Sequence, residues 1–202
     1  MMEQVVHLRF VLYFPEISDT GNFLLKDLPG SGKRIDVLCR SLAACFDWGP
    51  SILNKSILEI IALIGRTSCL RIGSPSNKMP RGEVWWARVI KDALSGKYHP
   101  FVSVENRSLE EVAEAILSND KARLWVLDEA GLSINQINLP DMNAQNSFII
   151  GDHRGFDAEA LKVFNDHSIY RLSLGATSYL TSHCIAAIIS MYEEMVHDVA
   201  DP

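Results

Sequence analysis

The sequence predicts an α/β fold, a parallel sheet flanked by helices, and three observations carry that expectation. Short apolar runs near residues 4–14, 57–64, 67–72, 122–127, 146–150 and 168–174 are bounded by Gly, Asp, Asn or Ser, as strands are. Several of them, "SFIIG" among them, are apolar without alternation, which implies burial on both faces, the habit of parallel strands under helices. Segments of helical period stand between the runs, and strands alternating with helices build such a sheet.

Taken in order, "MMEQVVHLRFVLYF" opens the chain as a strand. Glu3, His7 and Arg9 interrupt its apolar run, so it reads as neither signal peptide nor membrane span, and the protein is expected to be cytosolic. In "SGKRIDVLCRSLAACF", Ile35, Leu38, Leu42 and Cys45 share one helical face while Lys33, Arg40 and Asp47 fall elsewhere. The Pro-containing "GSPSNKMPRG", 73–82, reads as the longest exposed loop. A helix over about 82–95 carries Trp85 and Trp86, a pair that fits a core residue plus a rim residue, although one indole could instead stack on an extruded base. Ser108 with Glu111 makes a capping box for a helix over 108–118, and further helices are expected over 157–165 and 177–197. The last is apolar round most of its circumference until Glu193, so it should be buried on two sides, and a terminal helix of that kind predicts a homodimer formed through it.

Composition bounds the function. With 202 residues, 48% of them hydrophobic and 22% charged, the chain suits one domain. A net charge of −6 disfavours a general nucleic-acid binder, but the charge is unevenly spread. Residues 1–90 hold 11 Lys/Arg against 8 Asp/Glu, whereas residues 91–202 hold 8 against 17, so the N-terminal half could face a polyanion. Cys39, Cys45, Cys69 and Cys184 stand singly and the six histidines are dispersed, so neither a disulfide framework nor a metal site is expected.

"LPGSGKR" has the look of a phosphate-cradling loop and fails the test for one. Counting back from Gly32-Lys33, the first glycine of a Walker loop would fall on Asp27, and Arg34 stands where the magnesium-binding hydroxyl belongs. Better candidates are the strand exits "FIIGDHRGF" and "YRLSLGATSYLTSHCI". In an open α/β sheet, ligands sit past the carboxyl ends of the strands, and Gly151, Gly155 and Gly175 would let backbone approach a ligand there.

"LKDLPGSGKRIDVLCR", "FIIGDHRGF" and "RLSLGATSYLTSHCI" together resemble the signature segments of the archaeal tRNA pseudouridine-54 N1-methyltransferases, a branch of the SPOUT class. The resemblance implies a single domain over 1–202, with a substrate-facing part to about residue 120 and a C-terminal trefoil knot over about 121–200. It implies a homodimer that binds S-adenosylmethionine and methylates tRNA. Cofactor contacts would come from Leu127, Gly151, Leu172, Leu174, Gly175, Thr177 and Cys184, and RNA contacts from Lys33, Arg34 and Arg40. Asp36 and then Asp152 are the candidates for taking the substrate proton, although Asp36 could instead fix an arginine or serve only as a first-turn carboxylate on the helix dipole, and Asp152 could cap its turn. His183 and Cys184, neighbours on a helix, diverge too far for a nucleophilic dyad, and Cys184 is placed in the cofactor wall. The same chemistry on another RNA, or a noncatalytic RNA-binding dimer, are the alternatives.

Overall fold

The computed structural model describes residues 7–47, 57–75, 81–137 and 144–200. Seven strands, β1 (His7–Phe14), β2 (Leu58–Ile64), β3 (Ser68–Gly73), β4 (Val102–Asn106), β5 (Ala122–Ser133), β6 (Gln145–Gly151) and β7 (Tyr170–Ser173), form one sheet in the order β4-β3-β2-β1-β6-β5-β7. Among the described residues six α-helices accompany them, α1 (Leu28–Ser31), α2 (Ile35–Phe46), α3 (Gly82–Leu94), α4 (Leu109–Leu117), α5 (Ala158–Asp166) and α6 (Thr181–Ala200), with a 3-10 turn at Ile134–Gln136. The loop expected over 73–82 lies mostly outside the described residues.

The sheet is mixed, which corrects the expectation of a parallel one. β2, β1, β6, β5 and β7 run parallel, whereas β3 pairs antiparallel with both β2 and β4. The reason is the connection: β2 and β3 are separated by only Gly65, Arg66 and Thr67, too few residues for a parallel crossover, and Gly65 takes φ +58 to close the hairpin.

Strand alternation splits the core in two. Leu8, Phe10, Leu12 and Phe14 of β1 face one side, where α2, α3 and α6 pack, and Val11 and Tyr13 face the other, under α4 and α5. A fully buried Leu or Phe contributes about 1.5–3 kcal/mol, so these two layers supply the main driving force. α2 lies between α3 and α6 as well as on the sheet, so Cys39, Ala43 and Ala44 are buried in addition to the expected face. Asp47, expected off the buried face, has no exposed side-chain surface. It accepts from Gly82 N at 2.9 Å and Trp86 Nε1 at 3.0 Å and pairs with Arg81 Nη1 at 3.0 Å, tying the end of α2 to the start of α3. Trp86 is fully buried and Trp85 partly so, the core-plus-rim arrangement.

α6 begins at Thr181, later than the expected 177, and this chain itself buries one broad face of it. Cys184, Ile185, Ile188, Ile189 and Tyr192 are buried, whereas His183, Ala186, Ala187 and Ser190 are exposed. No helix among the described residues is long and apolar enough to cross a membrane.

Candidate active site

β1, β6, β5 and β7 are parallel neighbours, so their carboxyl ends open on one side of the sheet. There a cavity of about 370 Å³ is lined by Leu127, Gly151, Leu172, Leu174, Gly175, Thr177 and Cys184, so all seven residues expected at the cofactor come together in one place. Asp128, Glu129 and the turn from Asp152 to Phe156 complete it.

This cavity is shaped by main chain. A Cβ at Gly151 would stand 2.9 Å from Gly155 O, so only glycine lets the turn fold back over the end of β6. That turn is built by Asp152, whose carbonyl accepts from Gly155 N at 3.0 Å and whose Oδ1 accepts from Arg154 N at 2.7 Å. Thr181 Oγ1 donates to Gly151 O at 3.0 Å and fixes the start of α6 against the same strand end. Farther along, Gly131 passes so close to β7 that a Cβ would be 2.6 Å from Leu172 N. Its role was not expected from the sequence, where a lone glycine in an apolar run marks only a bulge or close approach. The Ser178 hydroxyl beside Glu129 holds its carboxyl below the usual carboxylate range, and that contact joins the β5 exit to the loop after β7.

A second cavity, of about 260 Å³, adjoins the first. Phe14, Ile17 and Val37 give it an apolar floor, Glu16, Lys33 and Arg34 line its side, and Asp152, His153 and Arg154 line it as well as the first cavity. Lys33 and Arg34 hold φ of 47° and 71°, the left-handed region that costs non-glycine residues about 1 kcal/mol or more each. Gly32 and Pro29 carbonyls hold this bend by accepting from Ile35 N at 3.2 Å and Arg34 N at 3.0 Å. Asp27, the residue that breaks the Walker pattern, caps the one-turn α1 by accepting from Gly30 N and Ser31 N, each at 3.1 Å.

Asp36 is buried, and both of its oxygens are engaged. Arg34 Nε and Nη2 donate to Oδ1 and Oδ2 at 3.0 and 3.2 Å, and Arg40 Nη2 donates to Oδ2 at 2.9 Å. Of the three readings left open for Asp36, the geometry is that of a carboxylate that fixes arginines. Arg40 also donates to Glu83 Oε1 at 3.2 Å, so it is paired twice and stands outside the second cavity, unlike Lys33 and Arg34.

Cys184 is 7% exposed, and burial pushes its thiol up to about 11, so near neutral pH it is a protonated, unreactive wall residue. His183 beside it points to solvent, as neighbours on a helix should diverge. Away from the cavities, among the described residues, Glu110, Glu114 and His167 bring ligand atoms within 4.8 Å at the surface where α4 meets α5. His153, Arg154, Glu16, Asp128 and Glu129 were not singled out from the sequence, although the first two stand inside the quoted "GDHRG".

Over residues 8–196 the chain matches a family model described as "Putative SAM-dependent RNA methyltransferase". It is 30% identical over 197 residues to the tRNA (pseudouridine(54)-N(1))-methyltransferase of Pyrococcus abyssi, with 89% of this chain and 94% of the relative covered. To the protein of the same name from Thermococcus gammatolerans it is 31% identical over 198 residues, with 89% and 93% covered. Among solved structures, Archaeoglobus fulgidus Nep1 bound to S-adenosylhomocysteine has the same fold at a TM-score of 0.66 and 12% identity, with 94% of this chain and 98% of that one covered.

Proposed function

The chain belongs to this family of SAM-dependent RNA methyltransferases, and on that premise we propose that it methylates N1 of pseudouridine at position 54 of tRNA. The observation that carries the reading is the shared wall: the turn at Asp152, His153 and Arg154 borders both cavities. A group transfer needs donor and acceptor side by side in fixed orientation, and positioning of that kind supplies a large part of such a rate.

The first cavity fits the cofactor. The absence of a side chain at Gly151 lets the turn close over the end of β6, Leu127, Leu172, Leu174 and Cys184 give an apolar wall, and Gly175 and Thr177 offer loop backbone. Glu129 places negative charge at a site for a cationic ligand, while Asp128 beside it is paired with Arg171 at 2.8 Å. When bound, S-adenosylmethionine supplies a methyl carbon made electrophilic by its positive sulfur. The second cavity suits the target. Its apolar floor at Phe14, Ile17 and Val37 can receive a base turned out of its stack, while Lys33 and Arg34 meet the phosphates beside it. Asp36, by gripping Arg34 on both oxygens, aims that guanidinium, and Arg40 reinforces the grip.

The same reading includes one domain, a trefoil knot, a homodimer and a place in the cytoplasm. Support for the knot is the tight passage of Gly131 against β7. Support for the dimer is the exposed small-residue face of α6 at Ala186, Ala187 and Ser190, together with the exposed Tyr179 and Leu180 just before the helix, at 49% and 51% exposure.

The test is methyl transfer from labelled cofactor to tRNA transcripts carrying either pseudouridine or uridine at position 54. Transfer confined to the pseudouridine transcript is expected. Equal transfer to both, or none from folded protein at saturating ligand, would contradict the reading.

A further inference from the structure

N1 of pseudouridine carries a proton that must leave when the methyl group arrives, and six carboxyl or thiol groups near the cavities are poorly placed to take it. Asp36 is buried beneath two arginines with both oxygens engaged. Cys184 is a buried thiol held protonated. Asp152 lies in the shared wall, but its Oδ1 is engaged with Arg154 N and builds the turn. Glu16 lines only the second cavity, and Asp128 and Glu129 line only the first, where Asp128 is paired with Arg171 and Glu129 is engaged by Ser178. Three side chains line both cavities, and of these Arg154 cannot take a proton, which leaves His153 beside the engaged Asp152.

The geometry points to His153 as the catalytic base of the transfer, an inference that rests on the function proposed above. His153 is exposed, and it sits on a turn fixed by Asp152, by Gly155 and by the close approach at Gly151. A base must stand within hydrogen-bond reach of the proton it removes, and imidazole is the side chain whose ordinary pKa lies near neutral pH. The N1–H bond breaks and its proton passes to the unprotonated ring nitrogen. The electron pair left on N1 forms the new bond to the methyl carbon as the carbon–sulfur bond breaks and its pair returns to sulfur, and the imidazolium then releases the proton to water. The charged groups that line the two cavities with it are Asp152 and Arg154 on its own turn, Glu16 after β1, Lys33 and Arg34 before α2, and Asp128 and Glu129 in β5.

The experiment uses full-length protein, pseudouridine-bearing tRNA and single-turnover rates from pH 5.5 to 9.5. A base that works unprotonated gives the wild type a rate that rises with pH and then levels. His153→Ala should lose about 100-fold at neutral pH and lose that rising limb, and added imidazole should restore part of the rate. Cofactor and RNA affinities should stay within about twofold, since the residue is exposed on a turn that other groups build. A readout independent of turnover is the His153 ring resonance, which should shift when a pseudouridine oligonucleotide is added with S-adenosylhomocysteine and stay unmoved with the uridine oligonucleotide. A variant with the wild-type rate and pH profile, or a loss that imidazole leaves unrepaired while the ring resonance ignores pseudouridine, overturns the assignment and leaves the proposed function standing. A wild type that binds both ligands and transfers nothing overturns both.

Discussion

The two adjoining cavities share a wall but are built in opposite ways. The one at the ends of β5, β6 and β7 owes its shape to main chain, with Gly151 and Gly131 at van der Waals limits and a turn folded over a strand end. Its neighbour owes its character to charged side chains that position one another, Arg34 and Arg40 around Asp36, on a backbone bend in the left-handed region. The difference teaches where each is vulnerable. Added bulk should damage the first and leave the second, whereas lost charge or added salt should weaken the second and leave the first.

The largest effect is expected at Gly131→Ala, because a new Cβ 2.6 Å from Leu172 N meets backbone that cannot step aside. It should lower stability by about 2–3 kcal/mol in urea unfolding, and a variant as stable as the wild type would mean that β5 and β7 part easily. Gly151→Ala is next. Its Cβ, 2.9 Å from Gly155 O, must displace the turn, so cofactor affinity by calorimetry should fall about tenfold or more. A tenfold fall in RNA affinity instead, with cofactor affinity unchanged, would reverse the division of labour.

Arg34→Ala should weaken tRNA binding by about tenfold and reduce the slope of log affinity against log salt by about one, with cofactor binding intact. Arg40→Ala should act less on RNA and more on stability. It leaves a buried carboxylate short of one partner, at a cost of about 1–2 kcal/mol once the partial exposure of the pair is allowed for. The smallest effect concerns pH. The pKa of Glu129 is lowered by the Ser178 hydroxyl, so the contact is in force above the ordinary carboxylate range and is lost as pH falls through the lowered value. Cofactor affinity should therefore weaken only in acid, and Ser178→Ala should move that weakening to higher pH.

How much of this could be read from the sequence follows from the same contrast. Buried parallel strands announce themselves by continuous apolar runs, and "SFIIG" falls inside β6. The capping box is in place, with Glu111 N donating to Ser108 Oγ at 3.2 Å and Ser108 N donating to Glu111 Oε2 at 2.7 Å, because both signals are local. β4 went unseen because "VSVEN" is short and half exposed, an edge strand with little apolar pattern. The antiparallel turn at Gly65 was legible in principle, since two apolar runs separated by three residues including glycine spell a hairpin. Asp47 looked like a solvated helix end, and only the tertiary approach of α3 explains its burial.

At the candidate site, glycine-bearing strand exits and a family resemblance were enough to name seven residues that the fold gathers in one cavity. The side-chain cavity was harder. Lys33 and Arg34 were visible as charges, but the engagement of Asp36 by two arginines and the position of His153 between the cavities are facts of three-dimensional arrangement. In the chain, "GDHRG" gives no sign of which residue faces which cavity.

The most direct test of the account is a crystal structure of the protein with S-adenosylhomocysteine. The account predicts the ligand between Leu127, Gly151, Leu172 and Cys184, with its sulfur turned toward the wall formed by Asp152, His153 and Arg154. Ligand bound elsewhere, or a sulfur turned away from that wall, would contradict it.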